Sequence, residues 1–373
     1  MTTQTPLNVL FTATSYPATL DDWRGVFMRH IAGALARRDD VALSMWAPPG
    51  PMPTNARIAT TTAEARFLAK LMEDGGISHL LRTSPPNGAW RAVLLMRGLR
   101  RAMHARTADL YHVNWLQCAL GVPADRKPLV ATVLGNDMRL LALPGVTTWL
   151  RRVLRHRPAA LCPNAAWMVE PLRQIFGDLA LIRAVPFGID PGWFEVTRKP
   201  EQPPRWLAVT RLTRDKLGPL FAWGEPMFSD GHRELHLIGP MQEQIELPSW
   251  VHYHGPLGPD VLKDQWFPAC TGLLTLSQHA EGRPQVLLEA FAAGMPVVAS
   301  PLAAHADLIG QSPAGRLVTS SPSFEEAVVH FEDATVNQAA AISARALATA
   351  EAGTWDDCAQ RYIDVYRELG AMQ

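Results

Sequence analysis

Strand-length runs of β-branched and apolar residues alternate with longer periodic segments along this chain, and the alternation runs twice. In the first half, Asn8–Ala13, Val41–Trp46, Leu110–Val113, Pro128–Val133, Ala160–Cys162 and Leu181–Val185 read as buried strands. Between them, Arg24–Arg38, Gly88–Arg106, Asp137–His156 and Asn164–Phe176 read as helices. Apolar runs of this length, joined by helices, imply a parallel sheet covered on both faces. The stretch from Pro48 to Asn87 shows no clear period. Residues Asp190–Arg205 hold four prolines among mixed charges, the chemistry of a linker. Beyond it the pattern restarts, with strands at Trp206–Val209, Leu235–Ile238, Val251–Tyr253, Leu273–Leu276, Val297–Ala299 and Arg316–Val318. Helices are expected at Leu217–Met227, Val261–Phe267, Gln285–Ala293, Ser323–Glu351 (continuous or broken) and Trp355–Leu369. The expected fold class is therefore α/β, with two doubly wound Rossmann-like domains whose parallel sheets face a cleft. The boundaries fall at 1–187 and 188–354, with 355–373 as a terminal helix.

Of the 373 residues 47% are apolar, enough for two cores. Lysine plus arginine equals aspartate plus glutamate, at 35 each, which gives no ground for a nucleic-acid partner. The halves differ: Met1–Phe187 holds 22 basic and 12 acidic residues, Gly188–Gln373 holds 13 and 23. One domain thus suits an anionic surface better than the other. Two clusters carry the basic excess. Trp90–Arg106 holds Arg91, Arg97, Arg100, Arg101 and Arg106 among apolar residues, and Arg151, Arg152, Arg155 and Arg157 follow later. They read either as solvated faces of core-covering helices or as contacts to an anionic membrane. The four cysteines (Cys118, Cys162, Cys270, Cys358) have no metal-ligand spacing and read as structural thiols of a reducing compartment. With no basic leader before a long apolar run, the expectation is a cytoplasmic protein, peripheral on the inner face of the cell membrane.

Several chemistries are absent. No G-x-G-x-x-G follows a strand, and there is no G-x-x-x-x-G-K-[ST], G-x-S-x-G, H-E-x-x-H or D-x-D. No metal and no cofactor is expected. Any phosphate must be held by helix ends and cationic side chains.

Two stretches supply those groups. In Ser277–Ser300 (SQHAEGRPQVLLEAFAAGMPVVAS) a strand ends, a loop carries Glu281-Gly282-Arg283-Pro284, and a helix begins at about Pro284. Gly282 permits close approach of a ligand to the backbone. The N–H groups of Gln285, Val286 and Leu287 form a helix amino terminus suited to a diphosphate. Glu281 and Glu289 bracket that terminus as hydroxyl acceptors. In Leu207–Gly218 (LAVTRLTRDKLG) a strand runs into Arg211, and Lys216 follows near a helix start. Two cations at the carboxyl end of a parallel strand suit an anion, though each alone also reads as a surface charge.

Taken together, these motifs resemble the retaining glycosyltransferases of family four, which have the GT-B fold. Glu281 and Glu289 match the family's E-x7-E, and Arg211, Leu212 and Lys216 its R-L-x-x-x-K. Tyr16-Pro17 with Arg24–Phe27, Asp109–His112, and VPFGID at Val185–Asp190 resemble its looser motifs. The resemblance implies that Arg211 and Lys216 hold the donor diphosphate, Glu281 contacts the donor sugar, and Glu289 binds the ribose. Gly282, Arg283, Pro284 and Gln285 would line the sugar and phosphate. Glu281, Arg211 and Lys216 would be the catalytic set, with no metal. On the acceptor side the positions are Gly25, His112 and Asp137, the last read in the first place as the cap of the helix it begins. The terminal helix would cross back to the first domain. The partners implied are a nucleotide-diphosphate sugar and a sugar or lipid-linked acceptor, in cell-surface polysaccharide or glycolipid assembly. Four departures stand out: Leu134 replaces the histidine of H-G-x-D, Lys216 is followed by Leu217 instead of glycine with Gly218 one place later, E-G-F-P has become E-G-R-P, and the first-loop double glycine is reduced to Gly25. Arg283 would then add a phosphate contact or be exposed. A GT-B phosphorylase, a nucleotide-sugar epimerase and a non-catalytic nucleotide-sugar-binding subunit remain alternatives.

Overall fold

Seven strands pair in parallel in the amino-terminal half: β1 (Leu7–Thr12), β2 (Val41–Trp46), β3 (Arg57–Ile58), β4 (Leu110–Asn114), β5 (Leu129–Val133), β6 (Ala159–Pro163) and β7 (Leu181–Ile182). Their order is β3-β2-β1-β4-β5-β6-β7. A second parallel sheet, ordered β10-β9-β8-β11-β12-β13, is built from β8 (Arg205–Val209), β9 (Glu234–Ile238), β10 (Val251–Tyr253), β11 (Gly272–Thr275), β12 (Val297–Ala299) and β13 (Gly315–Leu317). The computed structural model describes residues 5–20, 22, 24–105 and 108–371. They form two compact units, one of 1–187 with 355–373 and one of 188–354. Each sheet has an apolar cluster on both faces, which is why strands such as β5, β6, β11 and β12 are mostly apolar rather than alternating. Each also reverses its direction of growth once, between β1 and β4 and between β8 and β11. In open parallel sheets, ligands bind outside the carboxyl ends of strands at such a reversal.

The helix Trp355–Glu368 belongs to the first unit, and polar groups inside the core hold it there. The fully buried His112 on β4 bonds the Tyr366 hydroxyl at 2.6 Å through Nδ1 and the Thr132 hydroxyl at 2.9 Å through Nε2. Thr132 in turn bonds the Tyr362 hydroxyl at 2.7 Å. His112 is therefore a core residue joining sheet to helix, and its ring is not offered to an acceptor. Burial pushes its pKa down to about 3. The unfolded chain takes up a proton near 6.5 that the folded chain refuses, so stability held above that pH is lost as the pH falls below it. We expect this residue to add up to about 1.4 kcal/mol per pH unit of acid sensitivity. Urea midpoints of wild type and His112→Phe between pH 7 and 4 check this, and equal pH slopes would refute it.

Several elements differ from the sequence reading. The expected helix over Asp137–His156 is two, Gly135–Leu140 and Val146–Leu154, separated by Pro144 and by Gly145 at φ +81°. The Ser323–Glu351 stretch breaks at Asp333, whose carboxylate accepts the Thr335 and Val336 N–H groups at 2.9 Å each. The unassigned region 48–87 contains helices Thr62–Glu73 and Gly76–Thr83, the first opened by reciprocal bonds between Thr61 and Glu64.

The proline-rich stretch 190–205 is not a linker. It lies inside the second unit, with Trp193 buried against Phe267 at a centroid distance of 4.6 Å. Backbone bonds from Lys199 to Pro268 and from Glu201 to Ala269 tie it down.

The basic clusters are also partly spent internally. Leu95, Leu99, Ala102 and Met103 of the Pro85–Ala105 helix are buried, while Arg91 pairs with Asp74 and Arg101 with Glu64. Arg151 pairs with Asp178, and Arg157 is buried against Asp125. Arg106 lies outside the described residues. Among the described residues, no helix is long and apolar enough to cross a membrane.

Candidate functional site

The reversal between β8 and β11 gathers most of the predicted donor residues. Arg211 lies two residues beyond β8, and Thr213 then caps the short helix Arg214–Leu217 by accepting the Lys216 N–H. After it the chain must turn tightly against the end of β11. Gly218 sits at φ +55°, and a Cβ there would lie 2.0 Å from the Leu276 carbonyl oxygen, so glycine is required. The Gln278 N–H donates to the Asp215 carbonyl at 2.7 Å, which locks the loop after β11 to this helix.

The consequence is a contact between residues 65 apart in sequence: Lys216 Nζ stands 2.7 Å from Glu281 Oε1. Both side chains are largely buried, at 14% and 13% exposure. Burial alone raises the Glu281 pKa, but Lys216, His305 and the Ser277 hydroxyl together outweigh it and hold the carboxyl below its ordinary range. Glu281 is therefore ionised at neutral pH. Burial lowers the Arg211 pKa while Glu281 raises it, and the net direction is down. A guanidinium tolerates this and stays charged. Arg211 also reaches the Gln242 side chain at 3.4 Å.

The loop continues through Gly282 to Pro284, which precedes the Gln285–Ala292 helix as its cap residue instead of opening it. The Leu287 N–H is already given to the Pro284 carbonyl, so the first-turn donors left for a ligand are those of Gln285 and Val286. The Gln285 side chain donates to the Gly188 carbonyl at 2.8 Å. Leu287, Leu288, Ala290, Phe291 and Ala292 bury this helix, and Gly294 at φ +74° ends it. Glu289 is partly buried on the same helix. Burial first, then the charge of Asp190, push its carboxyl up to about 7 against the pull of Lys263. It is thus poised between carboxylate and acid at neutral pH.

Arg283 departs from both sequence readings. Its side chain is 2% exposed, and its guanidinium bonds the Glu351 carbonyl at 3.0 Å and the Glu351 carboxylate at 3.3 Å. The arginine of E-G-R-P is thus a buried side chain with a carboxylate partner. It is neither exposed nor turned to a phosphate.

In the first unit each acceptor-side candidate has a place in the fold itself. Gly25 precedes the Val26–Ala36 helix at φ +67°, where a Cβ would lie 2.8 Å from the Ser15 backbone. Asp137 is 3% exposed and accepts the Leu134 N–H at 2.8 Å and the Leu116 N–H at 3.1 Å. Of its two readings, capping is the one the structure contains. Burial outweighs these bonds and pushes its pKa up to about 7. His112 belongs to the core, as described. The sequence reading missed Ser277 and His305, which act on the Glu281 carboxyl, and Ser300, which bonds both of them; the serines follow strands and carry no motif that would single them out.

Residues 222–333 match the family model described as Glycosyl transferases group 1, a span that includes Glu281–Glu289 and begins after Lys216. No curated protein matches the chain in sequence comparison. Among solved structures, sucrose-phosphate synthase from Thermosynechococcus elongatus is similar, with 16% identity, TM-score 0.73 and coverage of 98% of this chain and 99% of that one. HepE from Anabaena, in complex with UDP and glucose, has 15% identity, TM-score 0.64 and coverage of 97% and 99%. The α,α-trehalose 6-phosphate synthase from Burkholderia multivorans has 14% identity, TM-score 0.64 and coverage of 98% and 99%. Likeness at this level of identity is a likeness of fold, and with its two parallel-sheet α/β units the chain has the GT-B fold of these glycosyltransferases.

Proposed function

We propose that the chain is a retaining, metal-independent glycosyltransferase that moves a sugar from a nucleotide-diphosphate sugar to a sugar or lipid-linked acceptor. The observation that carries this reading is the buried Lys216–Glu281 pair beside Arg211 at the sheet reversal of the second unit. As the bond from the anomeric carbon to the diphosphate breaks, negative charge grows on the leaving oxygen. Arg211, Lys216 and the Gln285 and Val286 N–H groups would neutralise it, in the way preorganised donors stabilise a developing anion. Glu281, held ionised, would accept hydrogen bonds from the sugar hydroxyls. Glu289 would accept from the ribose. The acceptor oxygen bonds the anomeric carbon on the face the diphosphate leaves, and its proton passes to that diphosphate. The group 1 match and the UDP and UDP-glucose complexes of HepE favour a nucleotide-sugar donor.

Thermal melts across a panel of UDP-, GDP- and ADP-sugars test the donor. At a hundredfold excess over Kd, the right one should add about 2.7 kcal/mol of stability by mass action. A panel that leaves the melt unmoved would count against the reading. Chelator should leave transfer intact, and loss restored by a divalent cation would overturn the metal-independent part.

A membrane-facing role for the first unit rests on exposed Arg97, Arg100, Arg152 and Arg155, with Trp149, 51% exposed, on the same helix as Arg152. Each such cation adds about 1 kcal/mol near an anionic surface. Sedimentation with anionic vesicles at low salt should pellet the protein and high salt should release it. A protein that stays in the supernatant at low salt would point to a soluble acceptor.

A further inference from the structure

His305, on the Ala303–Ile309 helix that follows β12, is fully buried with one side of its ring bonded. Its Nδ1 lies 2.9 Å from the Ser300 carbonyl oxygen and 3.3 Å from the Ser300 hydroxyl. A carbonyl can only accept, so Nδ1 carries the proton. Nε2 of the neutral ring is then a bare lone pair, buried and without a hydrogen-bond partner among the described residues. Orphaned buried polar atoms are uncommon enough to require a reason.

Its surroundings supply one. The Ser300 hydroxyl donates to the Ser277 carbonyl at 2.5 Å, and the Ser277 hydroxyl bonds the Glu281 carboxylate. Ring and carboxylate are thus joined by a short series of contacts across the ends of β11 and β12. Burial lowers the pKa of the ring most; Glu281, from the loop after β11, and the Ser300 bond raise it, Lys216, from the Arg214–Leu217 helix, lowers it, and the net direction is down, so the ring is neutral while Lys216 stands beside it. The ring's own helix also carries Asp307.

Without ligand, Lys216 and Glu281 satisfy one another at 2.7 Å. A diphosphate needs the same ammonium. As Lys216 turns towards phosphate, Glu281 is left a buried carboxylate with a weakened counter-charge. Resting on the donor-site reading above, we infer that His305 is a positioning residue that takes a proton on Nε2 when the diphosphate binds and replaces Lys216 as the charge partner of Glu281. One proton comes from solvent, the ring becomes an imidazolium, and no bond of the ligand is touched. Arg211 cannot substitute, because the diphosphate claims it too, and the Ser277 hydroxyl carries no charge. The carboxylate then stays ionised and aimed while the lysine serves the phosphate.

Proton uptake makes binding weaken as pH rises. Calorimetric titration of the full chain with UDP, GDP and ADP, in buffers of different ionisation heat near about pH 7.5, measures it where the diphosphates are already ionised. Wild type should take up about half to one proton per nucleotide bound. His305→Asn still offers an amide N–H to the Ser300 carbonyl but cannot protonate, and His305→Gln is a second choice. Both should lose the uptake, flatten the pH dependence of Kd and bind about tenfold more weakly near pH 6.5. Histidine-selective 15N shifts of the wild-type chain, followed as nucleotide is added, should show one ring becoming an imidazolium. Nucleotide binding without uptake, or equal uptake in the variants, would overturn the role of His305 and leave the donor site standing. No binding of any of the three by wild type would overturn the donor-site reading and this inference with it.

Discussion

Turnover of Lys216→Ala should fall by at least about a hundredfold, which is roughly 2.7 kcal/mol of transition-state stabilisation. The lysine has two tasks in the proposed mechanism. It neutralises the leaving diphosphate, and before that it keeps the buried Glu281 ionised at 2.7 Å. Truncation removes both, so the Glu281 carboxyl should also move up in pKa and the pH profile should shift upward. Arg211→Ala and Glu281→Gln should each lose a similar factor through one task only, without that coupled shift. Melting temperatures identify any variant that has lost its fold. Near-normal transfer in all three, with the donor picked out by the thermal panel, would remove the β8/β11 reversal as the reaction centre.

The second large effect concerns stability and a residue with no part in the proposed chemistry. Arg198 lies in the proline-rich stretch. Its guanidinium donates to the Gly294, Cys270 and Thr271 carbonyls at 2.6, 2.9 and 2.7 Å and to the Asn337 side chain at 3.1 Å. Burial lowers its pKa to about 10, so it remains charged. Asn337 extends the same network, donating to the Thr271 and Phe331 carbonyls. Arg198→Ala would strip its donor from the Gly294 and Cys270 carbonyls and the Asn337 side-chain oxygen at once, leaving the Thr271 carbonyl only its bond from Asn337. A loss of at least about 3 kcal/mol is expected, because hydrogen bonds to a charged group are worth more than neutral ones and a buried acceptor without a donor is penalised. Arg198→Lys should recover little, since an ammonium cannot span the same fork of acceptors. Urea denaturation measures both variants. A change below about 1 kcal/mol would show the segment to be loosely held after all.

That segment shows what kind of information local sequence carries. Torsional preference and hydrophobic period are local, and they reached far. Strands buried on both faces leave continuous apolar runs, so both parallel sheets were legible in runs such as Leu110–Val113 and Val297–Ala299. The loop at Glu281–Pro284 and the helix bearing Glu289 were legible for the same reason. Even the helix Thr62–Glu73, passed over, had announced itself in Thr61 and Glu64. Partnership is not local. Proline content at 190–205 described the backbone correctly as non-helical for most of its length, but whether such a chain floats or packs depends on acceptors 72 to 139 residues away. Arg283 reads as a surface or phosphate-binding cation until folding brings up Glu351, 68 residues on. His112 reads as a candidate ligand contact until Tyr366, 254 residues on, bonds to its ring. Local pattern was enough for the two parallel sheets, the strand ends that carry Arg211, Lys216 and Glu281, and the helix that follows. Tertiary structure alone decided which polar side chains are consumed in the core and which stand ready for a ligand. A polar group's role depends on what lies within about 3 Å of it, and that distance is set by packing between elements remote in sequence.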